Sequence, residues 1–253
     1  MNQSDEFAYP GAELELFAQA RNWKNYWSSL LLPFLHGDVL EAGAGIGTNT
    51  RILRTNRQQR WVCLEPDRSL LEQLKRGLER QPTEGLCELF KGTVADLAEK
   101  ELFDAILYID VLEHIEDDRG ELSRDAAHLK PGGHLVVLSP AHAWLFSRFD
   151  ASIGHYRRYT KKTLLAAAPP ALRLKRAIYL DSCGLCASLC NRVLLQQNLP
   201  TGNQILFWDR RIVPVSRFLD PLLFFKVGKS ILAVWTSGCI SETPNPCPRV
   251  LSN

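Results

Sequence analysis

The stretch Val39-Leu40-Glu41-Ala42-Gly43-Ala44-Gly45-Ile46-Gly47-Thr48-Asn49-Thr50 restricts this chain more than any other. A short apolar run ends in an acid. Three glycines follow at alternate positions, then small polar residues able to start a helix. The pattern predicts the first strand of an α/β sheet, a tight turn and a helix N-terminus. Glycines let the backbone turn sharply and let a ligand lie against bare peptide. A dinucleotide fold calls for Gly-x-Gly-x-x-Gly, with exposed amides and a helix dipole aimed at a pyrophosphate. Here the third glycine comes one residue early. Glu41, just before the first glycine, would repel a pyrophosphate but pair with an ammonium.

The same alternation of apolar run and polar end recurs along the chain. Arg60 to Glu65 is a second strand, followed by Pro66, Asp67 and a helix from Arg68 through Leu78. A carboxylate closing the second strand can accept both hydroxyls of a ribose, which makes Glu65 the ribose candidate. Cys87 to Leu97 predicts a third strand with a turn, and Phe103 to Asp110 a fourth. Val111 to Asp118 then leaves the carboxyl end of that strand, where ligands bind in such sheets. A helix from Gly120 to Leu129 leads to Lys130-Pro131-Gly132-Gly133, whose proline and glycines predict a turn. His134 to Ser139 is the fifth strand, Leu172 to Leu180 the sixth and Gly228 to Trp235 the seventh. Gly228-Lys229-Ser230 is no phosphate loop, because the upstream glycine is missing and it opens a strand.

Four features in this order resemble the class I S-adenosylmethionine (SAM)-dependent methyltransferases, in particular the small-molecule, ubiquinone-biosynthesis-like type. They are the glycine turn, Glu65, the Asp110-Val111-Leu112-Glu113-His114 run and the Leu-Lys-Pro-Gly-Gly run before the fifth strand. SAM carries an ammonium and a sulfonium and no phosphate, which suits Glu41. The resemblance implies an α/β, Rossmann-like, seven-stranded, mostly parallel sheet with helices on both faces and the last strand antiparallel. It implies that Glu41 orients the SAM ammonium, directly or through water, and that Gly43, Ala44, Gly45 and Gly47 line the methionine part. Glu65 and Pro66 would hold the ribose side, Thr93 and Val94 would stand at the adenine, and the backbone near Asp110 would face the methionyl end. The acid usual at the adenine position is replaced by Thr93, which leaves backbone contact. Asp110, Glu113 and His114 also repeat an acid-x-x-Glu-His pattern that holds a divalent metal in some relatives. The changed first acid weakens that parallel, and no metal is expected.

The segment 140–160 is long and rich in aromatic and basic residues, and long loops in compact domains are usually functional. Related methyltransferases carry a similar His-x-Arg-x-Tyr-Thr run over the acceptor pocket. His142, Tyr156, Arg157 and Arg158 are therefore the acceptor-side candidates. The competing reading is that the arginines pair with Asp150 or other acids and hold the loop shut. The base is expected to be His114 or His155, since imidazole titrates near neutral pH. These expectations define methyl transfer from SAM to a small-molecule acceptor, at oxygen, on a partly apolar metabolite. The alternatives are a lipid or membrane-linked saccharide as acceptor, or a non-catalytic SAM-binding protein.

With 253 residues, 45% hydrophobic, the chain suits one sizeable core. The expected division is an N-terminal helical cap over 1–36, a methyltransferase domain over 37–240 with an insertion at 196–227, and a flexible tail over 241–253. A net charge of +2 gives no field for nucleic acid, and the Asn/Asp-Pro-Pro-Tyr motif used on flipped bases is absent. The acidic, polar N-terminus has no signal-peptide pattern, and no apolar run reaches about 18 residues. Seven cysteines, an odd number at irregular spacing, suit a reducing cytoplasm. Cys183-x-x-Cys186 stands alone without a nearby histidine, and buried structural thiols are expected. Ile212 to Phe225 is apolar and broken by prolines. It admits a lid, a peripheral membrane contact, a subunit interface or simple packing on the core. The sequence leaves the oligomeric state open.

Overall fold

A computed structural model describes residues 9–11, 13–190 and 201–238. The tail 241–253, residues 1–8 of the cap and residues 196–200 of the insertion lie outside these.

Side chains alternate across each strand, so a strand that is apolar at every position is buried on both faces. In the fourth strand, Leu107 and Ile109 enter one core and Ile106 and Tyr108 the other. Such strands can assemble only into a sheet covered by helices on both sides. With the edge strands β3 and β6 largely exposed, seven strands among the described residues form one sheet, in the order β3-β2-β1-β4-β5-β7-β6. They are β1 (Gly37–Ala42), β2 (Gln58–Glu65), β3 (Glu88–Lys91), β4 (Phe103–Ile109), β5 (Leu129–Pro140), β6 (Leu172–Leu180) and β7 (Ser230–Ser237). β7 runs antiparallel to both β5 and β6, and the other pairs are parallel. The order reverses at β1, between β2 and β4, and this is where a ligand crevice opens in a doubly wound sheet.

The helices are α1 (Glu13–Ala18), α2 (Arg21–Leu31), α3 (Thr50–Leu53), α4 (Arg68–Arg80), α5 (Asp118–Ala127), α6 (Arg148–Ser152), α7 (Lys161–Ala167), α8 (Ser182–Cys190), α9 (Gly202–Phe207) and α10 (Val213–Leu222). Trp23, Trp27 and Leu31 of α2 and Leu74 of α4 cover one face, with Ile205, Trp208 and Val213 of the insertion. Leu122 of α5 and Leu164 and Ala167 of α7 cover the other. The helical cap thus packs into the main core.

Three expectations change. Lys130-Pro131-Gly132-Gly133 is the irregular beginning of β5, with a register shift opposite Phe103 and Ala105. Lys130 Nζ bonds Asp38 at 2.7 Å and Asp104 at 2.8 Å, which ties the bulged run, with its left-handed Gly132, to the sheet. The insertion is helical through its prolines: α9, a π-helical turn over Trp208–Ile212, and α10 follow one another. Pro214 stands at the start of α10, just after the π-helical turn. Finally, Cys186 and Cys190 are exposed and Cys183 half-buried, so these are not buried thiols. α8 turns its small residues inward (Gly184 is buried), which leaves the cysteines outside.

Candidate active site

A cavity of about 1300 Å³ lies at the carboxyl ends of the central strands, and Gly43, Ala44, Gly45, Glu65, Pro66, Thr93, Val94 and Asp110 all line it. The glycine turn creates one wall. Gly43, Gly45 and Gly47 have φ of 65°, 55° and 73°, which other residues rarely adopt. A Cβ on Gly45 would meet only Leu14 Cδ1, at 3.7 Å, so its peptide lies bare to the cavity. A Cβ on Gly47 would stand 2.1 Å from Leu74 Cδ1. Gly47 therefore serves the packing of α4 and is absent from the cavity wall, contrary to expectation.

Glu65 accepts from Gly45 N at 2.7 Å and from Asp67 N at 2.9 Å. Burial raises its pKa against these donors. The carboxylate is thus fixed beside the bare peptide, with acceptor sites left for a diol. Glu41 departs from expectation. It does not line the cavity. Its Oε2 accepts from Thr50 Oγ1 at 2.7 Å and Trp61 Nε1 at 3.0 Å, and burial pushes its pKa up to about 7. Strand alternation turns it beneath α3, where it braces the turn from behind.

Sequence reasoning missed Lys24, which lines the cavity and donates to Asn49 Oδ1 at 2.7 Å and Thr48 Oγ1 at 3.2 Å. Burial lowers its pKa to about 8, against the pull of Asp110 and Glu41. Its signal was a charged residue inside an aromatic helical stripe, Trp23-Lys24-Asn25-Tyr26-Trp27. Tyr9 and Lys229 also line the cavity; the sequence did not single out Tyr9 and weighed Lys229 only as part of a phosphate loop.

The two histidines meet across the cavity. His114 and His155 lie edge to face with ring centroids 4.4 Å apart. His155 Nδ1 is 3.0 Å from Asp150 Oδ1, and its Nε2 is 3.8 Å from Glu113 Oε1. Asp150 also receives Arg158 at 2.8 and 3.1 Å and Ser147 N and Oγ at 2.7 Å. Burial opposes its charge, but these donors outweigh it and hold the carboxyl well below its usual range. Burial and the neighbouring His155 push His114 down to about 4. Burial and then Asp110 push Glu113 well up. Burial also raises Asp110, against Lys24, His155, Lys229 and Arg158. Asp110 takes a left-handed φ of 55° at the end of β4, a strained geometry typical of functional sites.

The acceptor-side candidates divide. Arg158 lines the cavity, but its guanidinium is committed to Asp150. His142, Tyr156 and Arg157 do not line it. His142 bonds Gly228 O at 2.9 Å and stacks on Tyr179 and Trp144. Arg157 pairs with Asp118 at 2.8 Å, and Tyr156 is exposed. The reading in which the arginines hold the loop shut is what the geometry supports. The loop's path is set by Asp118, which binds both Arg157 and Tyr159.

Among the described residues, Glu113, His114 and His155 also bring one ligand atom each within 4.8 Å of one another. Glu113 Oε1 is buried with no hydrogen-bond partner. A divalent cation would satisfy that oxygen.

Residues 40–135 match the family described as "Methyltransferase domain". That span is the glycine turn, Glu65 and the Asp110–His114 run. Over residues 40–135, from β1 into β5, this chain is similar to that methyltransferase family. A curated relative, the demethylmenaquinone methyltransferase of Tropheryma whipplei (strain Twist), is 31% identical over 165 residues, 62% of each chain. The chain thus spans about three fifths of the length of the curated relatives it matches. Among solved structures, the N-methyltransferase NodS of Bradyrhizobium japonicum WM9 aligns with a TM-score of 0.54 at 17% identity, covering 89% of this chain and 99% of that one. NodS has also been solved with S-adenosyl-L-homocysteine. The [4+2]-cyclase SpnF aligns with a TM-score of 0.59 at 12% identity, covering 84% of this chain and 80% of that one. A cyclase of similar fold means that the reaction has to be argued from the site.

Proposed function

We propose that this chain binds SAM against the glycine turn and transfers its methyl group to a hydroxyl of a small, partly apolar acceptor. One observation carries the reading: the bare Gly45 peptide, pinned to Glu65, shares a single cavity with the Asp150–His155 pair. Glu65 is the partner for the ribose hydroxyls, and Pro66, Thr93 and Val94 flank the adenine. Lys24 faces the carboxylate of the methionine part, and Asp110, where Glu41 was expected, faces its ammonium. When bound, SAM would supply a methyl group activated by the sulfonium: the acceptor oxygen would form the new C–O bond in line as the S–CH3 bond breaks, and S-adenosyl-L-homocysteine would leave.

The protein contributes position, a dry wall and a proton acceptor. His155 is the better base of the two histidines. Asp150 accepts its Nδ1–H, which leaves Nε2 with its lone pair and stabilises the imidazolium once the hydroxyl proton arrives. His114 has no such carboxylate and resists protonation. The test is to incubate the protein with SAM and catechol- and naphthoquinol-type acceptors and follow the product by mass spectrometry. Gain of one methylene by an acceptor, lost in His155→Ala while SAM still binds, supports the proposal. Equal turnover in His155→Ala removes His155 as base.

The orphaned Glu113 oxygen favours a second reading, in which Glu113, His114 and His155 hold a divalent cation that binds the acceptor's oxygens. Two imidazoles and a carboxylate suit a zinc- or iron-type ion better than magnesium. Elemental analysis of protein purified without chelator separates the readings: a stoichiometric metal, lost in Glu113→Gln, makes His155 a ligand and not the base.

A further inference from the structure

The insertion between β6 and β7 carries a surface that the methyl-transfer chemistry does not use. On the outer side of α10 the stripe Arg211, Val215, Phe218, Leu222 runs at helical spacing beside the stripe Arg210, Pro214, Arg217, Pro221, and all eight residues are exposed. Phe218 is 71% and Leu222 62% exposed, and Phe224, just beyond the helix, is 77% exposed. Phe224 and Phe225 both have left-handed backbones, at φ 51° and 53°. That turn aims Phe224 outward while Phe225 packs against the core.

The charge on this face has one sign. Between residues 201 and 238 the only acids are Asp209 and Asp220, and both are buried. Asp209 caps α2 by accepting from Asn22 and Trp23. Asp220 accepts from Tyr26 OH and from Asp181 and Ser182 N. The exposed charges of the segment are therefore Arg210, Arg211, Arg217 and Lys226, all positive. The packed neighbour α8 has no charged residue and exposes Leu189.

We infer that the outer face of α10, with the Phe224 tip, docks on the surface of an anionic lipid bilayer. An amphipathic helix with bulky apolar residues flanked by arginines seats its apolar side at the headgroup boundary, and each cation near an anionic surface adds about 1 kcal/mol. A second copy of this chain is the poorer occupant. A two-fold contact would set the four cations of one face against the same four of the other. No helix among the described residues is long and apolar enough to cross a membrane, so the contact is peripheral. The face adjoins the cavity: Phe207 of α9 both lines it and is 62% exposed. An acceptor that partitions into the bilayer would enter on this side. The docking itself does not depend on the methyl-transfer reading.

The test is sedimentation with sucrose-loaded vesicles of phosphatidylcholine alone or with about 30% phosphatidylglycerol. The expected result is binding to the anionic vesicles, much weaker binding to the neutral ones, and release by salt. Arg210→Gln/Arg211→Gln/Arg217→Gln should weaken it by about fivefold per charge removed, the equivalent of about 1 kcal/mol each. Phe218→Ser/Phe224→Ser should abolish it with the thermal melt unchanged. Should that variant not fold, the arginine series decides alone. Binding to neither vesicle, equal binding to both, or a soluble dimer split by Phe218→Ser/Phe224→Ser would overturn the inference. Vesicle binding by a protein that fails to bind SAM would leave the docking standing and sink the methyl-transfer reading.

Discussion

His155 and Glu41 show how far a side chain's partners, more than its type, fix its role. His155 is one of six histidines, and Asp150 distinguishes it by fixing its Nδ1 and presenting Nε2 to the cavity. His155→Ala should lower turnover by about 10²–10⁴-fold with SAM affinity unchanged, and His114→Ala by less, as steady-state kinetics and calorimetry would record. Glu41 makes a prediction of stability. Its folded pKa of about 7 lies above the ordinary carboxylate value of 4.5, so between these limits the folded state holds a proton that the unfolded chain has released. Its contribution is full below the lower limit and is lost as pH rises through the upper one. Glu41→Gln, which keeps an acceptor for Thr50 and Trp61, should gain on the wild type from pH 5 to pH 8, by a margin on the order of 3 kcal/mol. Urea unfolding at the two pH values checks it.

At the scale of elements, strands were legible and their ends were not. Apolar runs closed by polar residues located the central strands, because burial on both faces leaves so plain a mark; the edge strands β3 and β6 are largely exposed. The Lys130–Gly133 run was read as a turn outside the strand because its place as a bulge within β5 depends on Asp38 and Asp104, distant in sequence. The same reason explains the acceptor loop, whose course is set by Asp118 and Asp150. Glu65 and Gly45 were legible because the strand–turn–helix unit that places them is local. Glu41 and Gly47 belong to the same unit but do not line the cavity, since facing is decided by α3 and α4. The glycines give a paired prediction. Gly45→Ala has room for its methyl yet covers the bare peptide, so it should weaken SAM binding with a modest loss of stability from its positive φ. Gly47→Ala collides with Leu74 and should lower the melting temperature far more. Calorimetry and thermal melts on the two variants should give opposite rankings.

Over the whole molecule, the sheet's reversal at β1 gathers the donor wall, the histidine pair and the insertion around one cavity. The donor half comes from residues close in sequence, and the family match covers that half. Much of the rest of the cavity wall comes from α2, the 140–160 loop, α8, α9 and Lys229, all beyond the match. That is why the donor was readable from the sequence and the acceptor was not. The most direct test of the central claim is calorimetric titration of SAM into the wild type and Glu65→Ala. The account predicts saturable binding, competed by S-adenosyl-L-homocysteine and not by NADH, and about ten- to hundredfold weaker in Glu65→Ala. Affinity unchanged by Glu65→Ala, or NADH taking the same place, would contradict it.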